Sequence, residues 1–457
     1  MYKKAVFIFR RSLRLDDNIG LINALKLSKK VIPIFIFTPE QVVKNPYKSS
    51  NAVQFMIESL QDLDVQLQKK GGRLLYFFGK PDKIVQEIIE KEPIDAVFIN
   101  QDYTPYSVKR DAGIKKVCEK YAVDCNSYED LLLHAVGSVL TTNGKPYQKY
   151  TPYYRKCSRK KVASPQKNNH TNYMARRFKV DFAYTDTLST FYKPNDAVSV
   201  KGGRQEALKI LKQIKQFEGY DKLRNMLTYQ TTLLAAYIKF GCVSIREVYY
   251  AIRSIGSVDL VRQLYWRDFY YNIATSFPYV FMGPMKKKYA KIRWKDNKKL
   301  FDAWKKGKTG FPIVDACMRE LNATGFMHNR GRLIVSNFLI KLLFIDWRKG
   351  ERYFATQLAD YDPSVNNGNW QWSASCGADS QPYFRIFNPW IQSKKFDPTC
   401  EYIKKWIPQL QEVKNIDIHK WGERYKKYTH IKYPLPIVDY KIKRAEALNL
   451  FNRYVFG

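Results

Sequence analysis

The sequence has 457 residues, of which 45% are hydrophobic, and this is enough for two or three domains with buried cores. It contains no run of 18 apolar residues and begins directly with a strand-like run, so we expect neither a membrane span nor a signal peptide. The formal net charge of +36 excludes an acidic surface and favours nucleic acid as a partner, although a lysine-rich proteome would produce the same excess.

Cysteine and histidine usage limits the compartment and the chemistry. The seven cysteines and five histidines are scattered, and no Cys-x-x-Cys pair occurs. We therefore expect reduced thiols in a cytoplasmic or nuclear compartment, no secretion and no metal site.

The N-terminal third alternates between two hydrophobic periods. Short apolar runs rich in β-branched and aromatic residues predict buried parallel strands at residues 4–10, 31–37, 73–78 and 94–99, and helical patterns lie between them at 51–68 and 81–92. This alternation predicts a doubly wound α/β domain, which we place at residues 1–134. No Gly-x-Gly-x-x-Gly motif follows the first strand, which argues against a conventional dinucleotide site there.

Residues 135–200 are predicted to be an interdomain linker, because charge is clustered and apolar content is low from residue 155 onward. The basic run at 155–161 favours a solvated face over a direct DNA contact. From residue 202 the hydrophobic period is helical, and we predict one all-helical domain over residues 201–457.

Two stretches of the helical part contain residues suited to chemistry. Thr231 and Thr232 precede an apolar run, which indicates either an ordinary helix cap or a phosphate site at a helix N-terminus. Residues 360–372 combine two carboxylates, an amide cluster and two tryptophans, and the Asn-Asn-Gly-Asn sequence predicts a loop held between helices.

Together with Trp294 and Trp347 and the segment at 309–330, the 360–372 stretch resembles the flavin domain of the DNA photolyase and cryptochrome family. The resemblance is to the cyclobutane pyrimidine dimer photolyases of the microbial type. It extends over nearly the whole chain and is most specific between residues 264 and 410.

The resemblance implies an FAD site. Asp360 and Asp362 would accept hydrogen bonds from FAD, with Arg332 as a counter-charge, and Asn366 would face flavin N5. Plant-type cryptochromes have Asp at the position of Asn366, so the amide favours repair over sensing. The implied cofactor-binding residues are Tyr220, Thr231, Thr232, Leu233, Leu234, Ala235, Arg267, Arg332, Asp360, Asp362 and Asn366.

Three tryptophans match the family's electron-transfer chain. From the flavin outward they are Trp370, Trp347 and Trp294, and with Asn366 they form the implied catalytic set. They would reduce photoexcited oxidised FAD and would not carry the repair electron. The N-terminal domain would hold a second, antenna chromophore, and folate, deazaflavin and flavin all remain open.

The resemblance also implies a pocket for a flipped lesion. Trp266 would stack on the pyrimidine dimer, since an enzyme that acts on bases takes them out of the duplex. The implied DNA-binding residues are Gln263, Trp266, Asn329, Arg330 and Trp372. The expected partner is UV-damaged DNA, and the expected state is a monomer.

The chain departs from the family pattern at three positions. Ala235 replaces a more common Ser, Gln263 replaces the Glu of bacterial dimer photolyases, and Leu333 replaces Met. Gln at 263 is typical of (6-4) photolyases and animal cryptochromes, but the histidines that (6-4) enzymes need at 329 and 333 are missing.

The resulting hypothesis is light-driven repair of cyclobutane dimers by electron transfer from reduced FAD. The alternatives are a (6-4) photolyase, a cryptochrome-like photoreceptor and a non-catalytic DNA-binding flavoprotein.

Overall fold

The structure is a computed structural model that describes residues 1–43, 45–175 and 188–455. Its N-terminal part is a five-stranded parallel sheet in the order β3-β2-β1-β4-β5. The strands are β1 (Tyr2–Phe9), β2 (Ser28–Phe37), β3 (Leu75–Phe78), β4 (Ala96–Asn100) and β5 (Asp124–Tyr128). The doubly wound prediction is confirmed.

Helices cover both faces of this sheet. They are α1 (Ile19–Leu27), α2 (Pro39–Val42), α3 (Ser50–Gln68), α4 (Pro81–Lys91) and α5 (Pro105–Lys120). On one face, Val6, Ile32 and Val97 pack against α4 and α5. On the other face, Phe7 and Phe35 belong to a cluster that continues into the helical domain, so the two domains share one hydrophobic core.

The rest of the described chain is helical. It comprises α6 (Tyr150–Cys157), α7 (Arg204–Lys212), α8 (Tyr220–Leu223), α9 (Leu234–Phe240), α10 (Ile245–Ser254), α11 (Val258–Ser276), α12 (Lys298–Lys305), α13 (Pro312–Thr324), α14 (Asn329–Asn337), α15 (Trp347–Gln357), α16 (Pro363–Ser373), α17 (Pro389–Phe396), α18 (Glu401–Trp406), α19 (Asn415–Ile418), α20 (Trp421–Arg424) and α21 (Tyr440–Val455). No helix within the described residues is both long and apolar enough to cross a membrane. The predicted domain limits at 134 and 200 stay predictions.

Buried ion pairs fix the domains against each other. Arg246 on α10 pairs with Asp17 and Asp130 of the α/β domain, at 2.8 Å in each case, and Arg14 pairs with Asp130 at 2.7 Å. All four side chains are almost fully buried. A buried charge without a partner is costly, so these pairs join Asp17 and Asp130 of the α/β domain to α10 of the helical domain.

Candidate active site

The stretch at 360–372 is mostly helical, and the prediction of a loop was wrong. α16 begins at Pro363, and the carboxylate of Asp362 caps it by accepting hydrogen bonds from backbone N–H groups of the first turn. A capping Asp followed by Pro is a strong helix start. Burial of Asn366 and Trp370 against neighbouring helices then outweighs the low helix propensity of the Asn-rich turn.

Asp360 precedes this helix, and its side chain, which is 10% exposed, forms an ion pair. Its Oδ2 accepts a hydrogen bond from Arg332 Nη2 at 2.8 Å. Its Oδ1 is buried and has no hydrogen-bond partner within the described residues. Asp360 therefore presents one open acceptor.

Asp362 has different partners, which come from elsewhere in the chain. Its Oδ2 accepts hydrogen bonds from Arg11 Nη2 at 2.5 Å and from the hydroxyl of Tyr271. Burial alone would raise the pKa of Asp362, but the charges of Arg11 and Arg267 outweigh it, so the pKa is lowered and the carboxylate stays ionised.

Asn366 lies one turn into α16, and a carboxyl group fixes its orientation. Its Nδ2 donates to Glu351 Oε1 at 3.0 Å and to the Glu351 backbone carbonyl at 3.1 Å. Glu351 is 5% exposed, and burial raises its pKa to about 7 against the weaker opposing effect of the Asn366 hydrogen bond. The amide oxygen of Asn366 is thereby left for another partner.

The raised pKa of Glu351 predicts a pH-dependent contribution to stability. Native Glu351 holds its proton more tightly than unfolded Glu351, so its contribution is present below about pH 4.5 and is lost as pH rises through about 7. The loss is at most about 3 kcal/mol in the free energy of unfolding. Glu351→Gln keeps an acceptor for Asn366 and cannot titrate. Denaturant unfolding at pH 5 and pH 8 should show a smaller difference for this variant than for the native protein, and equal differences would contradict the assignment.

The residues implied in phosphate binding lie at the start of α9. Thr231, Thr232 and Leu233 are partly exposed, and Leu233 adopts a left-handed conformation with φ of 54°. α9 begins at Leu234, as the hydroxyl-then-apolar pattern predicts, and it is only seven residues long. Ala235 is exposed and offers no side-chain hydrogen bond. Nearby on α8, Tyr220 is buried, and burial raises its pKa to about 12.

Arg267 on α11 is held through Nη1, which also lies 3.4 Å from Asp268 Oδ1. Its Nη1 donates to the Leu131 carbonyl at 2.9 Å, and its guanidinium lies 4.9 Å from the ring centroid of Tyr271. Its Nη2 is buried without a hydrogen-bond partner in the described part of the chain. This donor complements the open acceptor of Asp360.

Two of the three tryptophans are buried, and the third lies nearer the surface. Trp370 and Trp347 are each 3% exposed, whereas Trp294 is half-buried. Trp347 begins α15, and a Cβ atom added at Gly350 one turn later would lie 2.3 Å from the Trp370 ring. The two helices therefore touch where Trp370 is packed.

Within the described residues, no two of these three rings are stacked or packed edge to face. Trp370 packs against Phe354, with ring centroids 5.0 Å apart, and against Trp304 at 6.3 Å. Trp294 packs against Phe344 at 5.1 Å, just before α15. The structure thus buries Trp370 and Trp347 equally and leaves Trp294 nearer the surface, and the order of electron transfer stays a prediction.

The aromatic residue proposed to stack on a lesion has an aromatic support. Trp266 on α11 is half-buried and stacks on Tyr150 of α6, with ring centroids 3.7 Å apart and an interplanar angle of 8°. Tyr150 is 2% exposed, and its hydroxyl donates to the Arg262 carbonyl at 2.8 Å. The Trp266 ring is therefore held rigidly from behind.

The other implied DNA-binding residues are all accessible. Gln263 lies one turn before Trp266, and Arg330 at the start of α14 donates to Asn225 Oδ1 at 2.6 Å. Asn329 is exposed, and Gln263, Arg330 and Trp372 are half-buried. By contrast, Asp362 and Asn366 are buried. The implied DNA residues therefore lie towards the surface, and these two implied flavin residues lie beneath it.

A second cleft opens at the edge of the sheet, where the strand order reverses between β1 and β4. It is lined by Ile8, Arg10, Arg11, Ser12, Asn100, Gln101, Asp102, Asp130 and Leu131. This is the position at which open α/β sheets bind ligands.

Sequence reasoning missed three residues of this site. Arg11 lies in the basic loop after β1, where no local pattern indicates a contact with Asp362. Tyr150 lies in a Tyr-Thr-Pro-Tyr segment that could have indicated it. Glu351 carries no local signal, because only the packing of α15 on α16 brings it to Asn366.

Comparisons with known proteins identify the family. Residues 5–169 match the model described as DNA photolyase, and residues 260–453 match the model described as FAD binding domain of DNA photolyase. A Synechococcus protein named deoxyribodipyrimidine photo-lyase is 34% identical, covering 98% of this chain and 96% of the relative. The chain belongs to the DNA photolyase family, and FAD is its cofactor.

Two solved structures share the fold. The archaeal photolyase of Sulfolobus tokodaii is described with two FAD molecules, which imply a novel light-harvesting cofactor in that protein. It is 42% identical with a TM-score of 0.90, covering 98% of this chain and 100% of the other. The cryptochrome of Synechocystis has a TM-score of 0.90 at 24% identity, covering 98% and 99%, and this likeness shows the fold alone.

The described residues fit FAD. Asp360 Oδ1 is an open buried acceptor, Arg267 Nη2 is an open buried donor, and Asn366 has an amide oxygen directed away from Glu351. A flavin ring presents both donors and acceptors at its edge. Buried polar atoms without partners are rare in proteins, so a polar ligand accounts for them.

Proposed function

We propose that this protein repairs cyclobutane pyrimidine dimers in DNA by light-driven electron transfer. Bound FAD in its reduced form would supply an electron to the dimer under light and take it back after the ring opens. The protein's own residues bind the lesion, orient it and exclude water. The observation that carries the proposal is the half-buried ring of Trp266, which stacks on Tyr150.

The expected course begins with binding of the flipped dimer on Trp266. Aromatic stacking of this kind is typically worth about 1–3 kcal/mol per base. Asn329, Arg330 and Trp372 would complete the pocket and the adjacent phosphate contacts. Asp360, Asp362 and Arg267 would hold the cofactor beneath it.

Specific residues argue against the (6-4) photolyase hypothesis and the photoreceptor hypothesis. The positions at which the family's (6-4) enzymes need histidines hold Asn329 and Leu333. Proton transfer between bases has no obvious donor there. Asn366 cannot supply a proton as an Asp could, which favours repair over sensing.

The direct test is repair of each lesion by the purified protein. The enzyme should be reduced in the dark and illuminated with duplexes containing either a cyclobutane dimer or a (6-4) product. Restoration of dimer sites alone supports the proposal. Restoration of (6-4) sites alone would support the (6-4) photolyase hypothesis, which Gln263 favours. If neither lesion is restored, the photoreceptor and the DNA-binding flavoprotein hypotheses remain.

We propose that the cleft between β1 and β4, where the strand order reverses, holds the antenna chromophore. The two FAD molecules reported for the Sulfolobus relative support a flavin there over folate or deazaflavin. The absorption spectrum of the purified protein would report a second chromophore and its type.

Gln263 gives a prediction that depends on its amide. Its Nε2 donates to the Asp259 carbonyl at 3.0 Å, and an amide NH2 group has a second donor for a lesion carbonyl. Gln263→Leu should weaken dimer binding by about 1–3 kcal/mol, because lesion atoms lose a partner in a desolvated pocket. Gln263→Glu should still support repair, but the quantum yield should become pH-dependent.

Lesion affinity and repair yield against pH for the three forms check this prediction. If Gln263→Leu behaves like the native protein, Gln263 is not a lesion contact.

The net charge gives a prediction about salt. Tyr150 of α6 stacks on Trp266, and Arg155 of α6 and Arg159, two residues after its end, are exposed. Affinity for duplex DNA should fall steeply with salt, by about 0.9 unit of log–log slope per phosphate contact. Replacing both arginines by Ala should reduce the slope by about 1–2 units.

The matched control replaces Lys115 and Lys116, which are exposed on α5 of the sheet domain. An equal reduction of slope in both double variants would show that only the overall charge matters.

A further inference from the structure

We propose that Arg11, a residue of the sheet domain, is a positioning residue for the flavin site. It would hold Asp362 and thereby set where α16 begins and where Asn366 lies. The inference rests on the proposed role of Asp362 towards FAD. It makes the N-terminal domain a part of the flavin site and not only the holder of a second chromophore.

Arg11 joins three elements through its three nitrogen atoms. Nη2 donates to Asp362 Oδ2 at 2.5 Å, Nε donates to the Lys239 carbonyl at 3.1 Å, and Nη1 lies 3.4 Å from Asp102 Oδ1. These partners are the N-cap of α16, the last turn of α9 and the loop after β4. A guanidinium is rigid and planar, so one side chain fixes the three elements relative to each other.

The contact of Arg11 with Asp362 is connected to α16 because the two carboxylate oxygens of Asp362 have different partners. Oδ1 accepts from the backbone N–H groups of Ser364 and Val365, at 3.1 and 3.3 Å, while Oδ2 faces Arg11 and Tyr271. The backbone N–H of Asn366 donates to the Asp362 carbonyl at 2.8 Å. A displacement of Asp362 would therefore be passed to the first turn of α16.

Charge makes Arg11 suited to this task. Asp362 is buried, and an ionised carboxylate there requires a permanent cation. Lys239 cannot provide one, because burial and the nearby charge of Arg11 lower its pKa to about 7. Arginine remains protonated throughout the range in which proteins are folded.

Arg246 provides a matched comparison. It also crosses the domain interface with a buried guanidinium and pairs with Asp17 and Asp130. It contacts none of the residues proposed to bind FAD. Any effect of losing a buried interdomain ion pair in general should appear in Arg246→Gln as well as in Arg11→Gln.

The experiment uses the FAD-loaded protein without DNA. The rate of FAD release is followed by the fluorescence of free FAD, and the midpoint potential of bound FAD is measured, for native protein, Arg11→Gln, Arg11→Lys and Arg246→Gln. Losing a hydrogen bond between charged groups should speed release by about ten- to a hundredfold in Arg11→Gln. The potential should become more negative, since the reduced anion loses a nearby cation.

Arg11→Lys keeps the charge and should recover most of the potential but only part of the affinity. Arg246→Gln should resemble the native protein in both measurements. Equal release rates and potentials for Arg11→Gln and Arg246→Gln would overturn the proposal.

Tyr271→Phe keeps the test decisive if Arg11→Gln does not fold. It removes the other donor to Asp362 Oδ2 and should shift the rate of FAD release in the same direction by a smaller factor. No shift would count against the proposal.

Asp362→Asn separates the role of Arg11 from the role of Asp362 towards FAD. If Asp362→Asn releases FAD rapidly while Arg11→Gln releases it at the native rate, only the role of Arg11 is contradicted. If both variants release FAD at the native rate, the assignment of Asp362 to FAD binding is contradicted. Both measurements are made without DNA, so an inability of the protein to repair dimers would change neither result.

Discussion

Trp370→Phe is expected to abolish light-driven reduction of the oxidised cofactor. Phenylalanine is far harder to oxidise than indole, and Trp370 lies on the same helix as Asn366, one turn further along. Trp370 is buried against α15, the helix that begins with Trp347. The measurement is the absorbance of bound FAD during illumination with an external reductant.

Two controls accompany this variant. Trp421→Phe removes an equally buried indole, whose Nε1 donates to the Pro434 carbonyl at 3.0 Å, and should leave photoreduction unchanged. Trp370→Phe that has been chemically reduced in advance should still repair dimers, because the tryptophans are not needed for the repair electron. Normal photoreduction in Trp370→Phe would remove this residue from the electron path.

Trp266→Ala is expected to lose about 1–3 kcal/mol of dimer affinity, or roughly five- to 150-fold in Kd. The platform is stiff because Tyr150 stacks on one face at 3.7 Å and is itself held by its hydroxyl. Little side-chain entropy is then lost when a lesion binds on the other side, so stacking energy appears as affinity.

Undamaged duplex is the internal control for this prediction, since no base is flipped onto Trp266 there. Binding of undamaged DNA should be nearly unchanged in Trp266→Ala. Tyr150→Phe preserves the stacked ring and should behave almost like the native protein, while Tyr150→Ala should lose part of the dimer affinity. An equal loss on damaged and undamaged DNA in Trp266→Ala would show that Trp266 is only a structural residue.

The sheet was largely predictable from the sequence, with one informative omission. β1, β2, β3 and β4 are apolar runs that satisfy a simple burial pattern. β5 has the sequence Asp-Cys-Asn-Ser-Tyr and lies at the edge of the sheet. An edge strand is partly solvated, so polar residues are tolerated and the hydrophobic signal disappears.

The helical part shows where local signals mislead. The Asn-rich segment of α16 predicts a turn, yet its cap at Asp362 and the burial of Asn366 and Trp370 decide for a helix. The N-cap followed by Pro was present in the sequence and was the better indicator. Propensity is a weak guide where tertiary packing is strong.

The supporting contacts of the site could not have been predicted from local patterns. Arg11 and Asp362 are 351 residues apart, and Tyr150 and Trp266 belong to helices on either side of the interval that includes the undescribed residues. Periodicity identifies which face of an element is buried but not which distant element covers it. Resemblance to a family supplied the site residues, and only the three-dimensional structure supplied their partners.

The pairing of Glu351 with Asn366 makes the direction of one amide independent of acidity. The Asn366 NH2 group donates both to the Glu351 carboxyl and to the Glu351 backbone carbonyl. Burial raises the pKa of that carboxyl to about 7, so its charge changes near neutral pH, but a backbone carbonyl accepts at every pH. Turning the amide over would therefore set two carbonyl oxygens against each other, whether or not Glu351 holds its proton. Under the proposed role of Asn366, the cofactor would meet an acceptor in acid and in alkaline solution alike.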